Sequence, residues 1–159
     1  MEATPQNIDW FNNRFISRDG QRLFWQTGIC AEFLRALFEQ DRQGLENLKI
    51  YFNPGFSPAS QATTYRPLEQ GANIVSFDLN LFKRLSTKEL IAIILHEIGH
   101  IFHPENDMTQ REYNADDFAG ARGYSASIAS SLNALSTTYP DQYPAELTEN
   151  RIKRMEKDQ

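Results

Sequence analysis

The chain has 159 residues, 40% hydrophobic and 23% charged, with a formal net charge of -5; that is enough for one domain with a real core. With no cluster of Lys and Arg, nucleic acid and anionic membrane are excluded as expected partners, and the single cysteine, Cys30, excludes an internal disulfide. No apolar run approaches the ~18 residues of a membrane span, and Met1-Glu2-Ala3-Thr4-Pro5 lacks the basic and apolar regions of a secretory signal, so a cytoplasmic protein with no membrane span is expected.

Residues 1–7 read as disordered. Ile8, Trp10, Phe11, Phe15 and Ile16 then form an aromatic-rich patch, with a short helix as its simplest local structure. The patch is most simply core; the sharper alternative is a pro-segment covering an active site. Asp19-Gly20 is a turn signal. From Gly28 to Gln40 the spacing of Ile29, Phe33, Leu34, Leu37 and Phe38 is helical, and within it Cys30 is expected to be a buried, inert thiol. Gly44 sits where such a helix would stop. Leu48 to Phe52 reads as a strand, ended by Asn53-Pro54-Gly55. Gln61 to Arg66 is a second, more polar strand that suits a sheet edge. An extended peptide can add to such an edge as a further strand, which makes Gln61, Ala62 and Thr63 candidate substrate-contacting residues. Pro67 to Asn73 is a turn or loop. Ile74 to Asp78 is a third strand, and Leu79, Leu81, Phe82 and Leu85 lead out of it.

The next stretch organises the rest. Leu90-Ile91-Ala92-Ile93-Ile94-Leu95 runs into His96-Glu97-Ile98-Gly99-His100, an H-E-x-x-H pattern on a helix too apolar for a surface. Ser86 with Glu89 supplies a capping-box start, and Pro104 disfavours helical geometry at His103, so the helix is expected from about Thr87 to Phe102. Residues four apart share a helix face, roughly 6 Å apart along the axis. His96 and His100 can therefore offer two imidazole nitrogens to one ion, and Glu97, rotated about 100° away, can reach a water beside it as general base. Gly99 removes a side chain and allows another backbone to approach.

Two histidines need a further protein ligand to make a catalytic zinc site. His103 is a weak candidate: it lies seven residues past His96, roughly 10 Å along a straight helix. A carboxylate from the following helix, expected from about Met108 to Arg122 with Gly123 at its end, is the better option. Glu112, Asp116 and Asp117 compete. Glu112 and Asp116 share a face, and Ala115 between them would let this helix pack close to the first. Glu112 would bind the ion and Asp116 would accept the other ring N–H of a ligand histidine, leaving Asp117 in solvent. The alternative for Glu112 is a capping box with Thr109. Ser125 can cap a further helix carrying Ile128, Leu132 and Leu135. Tyr139 to Pro144 is a loop, and Thr148 can start a terminal helix with Ile152 and Met155 on its apolar side. No repeat or linker is visible. The expected architecture is α+β, a single domain over 1–159: a mostly helical segment over 1–45, then a core over 46–159 with about three strands and the H-E-x-x-H helix.

Over roughly residues 48–157 the chain resembles the gluzincin peptidases, in particular the prenyl-protein (CAAX) protease and HtpX-like family and its compact minigluzincin relatives. The resemblance is carried by Glu89 to His100, His103, Glu112-Tyr113-Asn114-Ala115-Asp116, and Arg151-Ile152. It implies a zincin-like metallopeptidase fold with one zinc ion on His96, His100 and Glu112, Glu97 as catalytic base, Asp116 behind the ligands, and Gln61–Thr64 as the substrate-binding edge strand. Two departures stand out. Only 11 residues separate His100 from Glu112, and no histidine follows His103, where the family often carries one that stabilises the transition state. Tyr139 or Tyr143 could donate a phenolic hydrogen bond in its place; Arg151 could orient such groups or merely pair with Glu149 or solvent. The expected activity is zinc-dependent peptide-bond hydrolysis. The alternatives are an ImmA/IrrE-like protease dedicated to one regulatory partner, and a latent or degenerate zincin acting as a binding module.

Overall fold

The computed structural model describes residues 1–16, 28–48, 50–55, 63–65, 73–78 and 84–157. Helices dominate beside one small sheet, an α+β composition. Asp19-Gly20, Gln61, Ala62, Arg66, most of the loop from Pro67, and Leu79, Leu81 and Phe82 lie outside the described residues. The chain divides into two units, Met1–Thr87 and Lys88–Gln159, so the strands share a unit with the N-terminal helices.

In the first unit, helix α1 runs over Pro5–Phe15. The expectation of disorder through residue 7 is overturned. The Thr4 hydroxyl accepts from the Asn7 N–H, and Pro5 sits in the first turn where its missing N–H costs nothing. The aromatic patch is core: Phe11, Phe15, Phe33 and Phe52 are all buried, with Phe11 within 6 Å of the other three ring centres. The single helix expected from Gly28 to Gln40 is two. Helix α2 covers Ile29–Ala36 and helix α3 covers Glu39–Asn47, with Leu37 extended between them. The buried Asp41 carboxylate accepts from the Phe38 N–H and starts α3. Gly44 stays inside α3, and its carbonyl accepts from the Leu48 N–H in the last turn. Cys30 is buried as expected, and burial pushes its thiol up to about 11.

Strand β1 (Ile50–Gly55) continues through the Asn53-Pro54-Gly55 expected to end it, because it pairs in parallel with β3 (Asn73–Asp78) along its whole length. Strand β2 (Thr63–Tyr65) pairs antiparallel with β3 in the order β1-β3-β2, at an edge. Ile50 and Phe52 are buried and Tyr51 is 42% exposed, the period-2 alternation of a half-buried strand.

In the second unit, helix α4 covers Thr87–Phe102, the span the sequence predicts, and every residue from Leu90 to Gly99 is buried. Helix α5 covers Met108–Gly120. It ends in a Schellman turn: Gly123 takes a φ of 84°, its N–H reaches the Gly120 carbonyl, and the Tyr124 N–H reaches the Ala119 carbonyl. Helix α6 covers Ser125–Thr138 and buries Ile128, Leu132 and Leu135, as its spacing predicts. A short 3-10 turn at Pro140–Gln142 leads to helix α7, Ala145–Lys157. Helix α7 packs against α5 and α6. It begins three residues before the expected Thr148, and its buried face is Thr148, Arg151 and Met155; Ile152 is only half-buried.

Candidate metal centre

One turn of α4 puts the His96 and His100 rings with centres 4.5 Å apart. Each of His96, Glu97 and His100 offers an atom within 4.8 Å of the others, a group able to hold a metal ion. His96 and Glu97 are buried.

Helix α5 closes on this group at one crossing point. A Cβ built on Gly99 would stand 2.8 Å from the Ala115 Cα and 2.9 Å from the Phe118 Cβ, so the two helices meet where both chains are smallest. That approach brings Glu112 to the imidazoles: its Oε2 lies 3.5 Å from His96 Nε2 and its Oε1 lies 3.4 Å from His100 Nε2. The capping alternative for Glu112 loses its basis, because α5 starts before Thr109 and its cap is Asp107, which accepts from the Gln110 N–H at 2.7 Å.

These separations test whether a metal fits. A charge-assisted N–H···O bond is about 2.7–2.9 Å, shorter than either. Ligand atoms about 2.0–2.1 Å from a tetrahedral ion stand roughly 3.3 Å apart, close to the 3.4 Å between His100 Nε2 and Glu112 Oε1. His100 Nε2 faces the carboxylate, while its Nδ1 is buried with no hydrogen-bond partner among the described residues. Two nitrogens and one carboxylate are a donor set that several divalent ions take. The residues fit a divalent metal ion.

The surrounding charges are arranged as a clamp. Asp116 is fully buried and receives two bonds from Arg151, Nε to Oδ2 and Nη2 to Oδ1, each 2.8 Å. The remaining guanidinium nitrogen, Nη1, lies 2.8 Å from Glu112 Oε2. Asp116 Oδ1 also lies 2.9 Å from His96 Nδ1, off the axis of an ideal hydrogen bond. Burial opposes charge on all four groups, and the partners outweigh it at His96, Glu112 and Asp116 but not at His100. His96 is pushed down by burial but raised more by Asp116 and Glu112, to about 9. His100 is lowered to about 3 by burial and by the charge of His96. Glu112 and Asp116 are both held at about 2, Glu112 by His96 and Arg151 against its burial, Asp116 by Arg151 and His96.

Tyr143 is 8% exposed, and burial raises its hydroxyl well above the usual range, with Arg151, Glu97 and Glu112 near enough for their charges to act on it. Tyr139 is half-buried. His103 is exposed and edges toward the Phe118 ring, apart from the donors. Asp117 faces solvent as expected, its side chain 46% exposed, and it also pairs with Arg154. Of the residues expected to contact substrate, Thr63 lies on the edge strand β2, while Gln61 and Ala62 are outside the described residues. Arg151 is the residue whose role the sequence left open. Its signal was available: a cation three residues after Thr148 and four before Met155 lies on the inward face of α7, where a charge needs a partner.

Comparison with protein families, with curated proteins and with solved structures finds no match to this chain. The likeness to gluzincin peptidases rests on the residues of this site. Among the described residues no helix is long and apolar enough to cross a membrane.

Proposed function

We propose that this chain is a zinc-dependent endopeptidase, with His96, His100 and Glu112 holding one ion and Glu97 as the catalytic base. The observation that carries the reading is the pair of 3.4 and 3.5 Å separations between the imidazole Nε2 atoms and the Glu112 oxygens. Charge supports it. Two carboxylates, Glu112 and Asp116, flank the imidazoles and draw His96 toward the charged form, a positive charge that a metal ion held between the rings would supply instead.

His96, His100 and Glu112 would hold the ion, and a zinc ion there would supply Lewis acidity that lowers the pKa of water to about 7. Glu97 takes a proton from the attacking water and passes it to the leaving nitrogen, breaking the peptide bond. Asp116 holds the His96 ring in one orientation through Nδ1. The Tyr143 hydroxyl is kept protonated and donates to the oxyanion as it forms, the task the absent later histidine leaves open. Burial of His96 and Glu97 excludes bulk water, which strengthens each of these interactions.

The test is Glu97→Gln in the zinc-loaded protein, assayed against a panel of unrelated unfolded substrates. The variant should keep its metal and lose cleavage by at least about 100-fold. Undiminished cleavage would remove Glu97 from the role of base. Cleavage of no substrate in the panel by the parent protein would point instead to a single dedicated partner.

A further inference from the structure

The Glu112 carboxylate presents its two oxygens almost evenly to the two imidazoles, at 3.5 and 3.4 Å. Left alone, such a carboxylate can grip an ion with both oxygens. With a water bound, two imidazoles and a bidentate carboxylate would then make a five-coordinate site and leave no position for substrate to enter. The surroundings break the symmetry. Oε2 is engaged by Arg151 Nη1 at 2.8 Å, whereas Oε1 faces His100 Nε2 at 3.4 Å.

Resting on the metal reading above, we infer that Arg151 is a positioning residue that holds Glu112 as a one-oxygen ligand through Oε1 and so keeps a coordination position open. The guanidinium can do this because it cannot swing. Its Nε and Nη2 are both committed to Asp116, which is fully buried. A planar fork fixed at two corners fixes the third. Asp116 also faces His96, so one buried carboxylate sets a nitrogen ligand directly and an oxygen ligand through Arg151. A lysine would keep the charge but could not span both carboxylates with one rigid plane.

Cobalt(II) substituted into the intact protein reports coordination number in its visible absorption, and X-ray absorption at the zinc edge reports it independently. The parent protein should be four-coordinate, with one carboxylate oxygen. Arg151→Lys should shift toward five-coordination, with weaker visible bands, and should lose metal affinity by about 10-fold or more. A five-coordinate parent site with both Glu112 oxygens bound overturns the inference, and so does an Arg151→Lys protein with the parent's spectrum and affinity. If Arg151→Lys does not fold, the parent spectra decide alone. A parent protein that takes up neither cobalt nor zinc overturns the metal reading itself and this inference with it.

Discussion

Helix α4 is buried almost all round and carries the two imidazoles, while helix α5 buries only one face, with its first turn exposed, and carries the two carboxylates. On α4 the geometry is local. His96 and His100 share a face because the helix repeats, whatever surrounds it. On α5 the geometry is borrowed. Glu112 reaches the imidazoles only because Gly99 and Ala115 let two backbones cross and because Arg151, from a third helix, holds its carboxylate. Half of the site is written in spacing and the other half in packing.

The difference can be broken most forcefully at the crossing. Gly99→Leu forces a side chain into a gap where even a Cβ stands 2.8 Å from backbone. It should cost about 1–3 kcal/mol or more in unfolding free energy and move Glu112 out of reach, abolishing tight metal binding while α4 stays helical. Denaturant melts and metal titration would check both; parent-like zinc affinity would show that the crossing does not set the distance. Asp116→Asn is milder. It keeps the shape, removes the charge that holds Arg151 and orients His96, and should weaken metal binding about 10–100-fold, read by competition with a chelator.

The two histidines sharpen the contrast through pH. In the metal-free protein His96 titrates at about 9 and His100 at about 3, against 6.5 as the ordinary value for each. The raised His96 stabilises the fold fully below 6.5 and loses that contribution as pH rises through 9. The lowered His100 stabilises above 6.5 and loses its contribution as pH falls toward 3. Stability without metal should therefore peak near pH 6.5 and decline on both sides. Glu112 and Asp116 steepen the acid arm, because contributions present above 4.5 and 3.8 are lost as pH falls toward 2. Thermal melts across pH would reveal it, and a flat profile would contradict the burial of this cluster. The smallest effect belongs to His103→Ala. An exposed ring outside the donor set should change stability by less than about 0.5 kcal/mol and zinc affinity not at all.

What the sequence disclosed follows the same division. The bounds of α4 were legible because Ser86 and Pro104 mark its ends, and the histidine pair because four-residue spacing is a property of any helix. The start of α1 was misread because Thr4 and Pro5, a cap followed by a first-turn proline, stand among polar residues that suggest disorder. The break between α2 and α3 was hidden because Asp41 captures the Phe38 N–H inside a continuous helical pattern. The helix that carries Glu112 starts where the sequence predicts, and the alternative of a Thr109 capping box fails because Asp107, two residues earlier, is the cap. The sequence leaves Arg151 undecided, between orienting groups at the site and pairing with Glu149 or solvent. A terminal helix rich in charge reads as surface, and only the partners brought by α5 reveal that one of its cations is 7% exposed.

Metal content of the purified native protein, measured beside Glu112→Ala after identical zinc exposure and dialysis, tests the central claim most directly. One zinc per chain in the parent and about 100-fold weaker retention in the variant are predicted. A parent protein without metal, or a variant that holds zinc as tightly as the parent, would contradict a site built from two imidazoles on one helix and a carboxylate on the next.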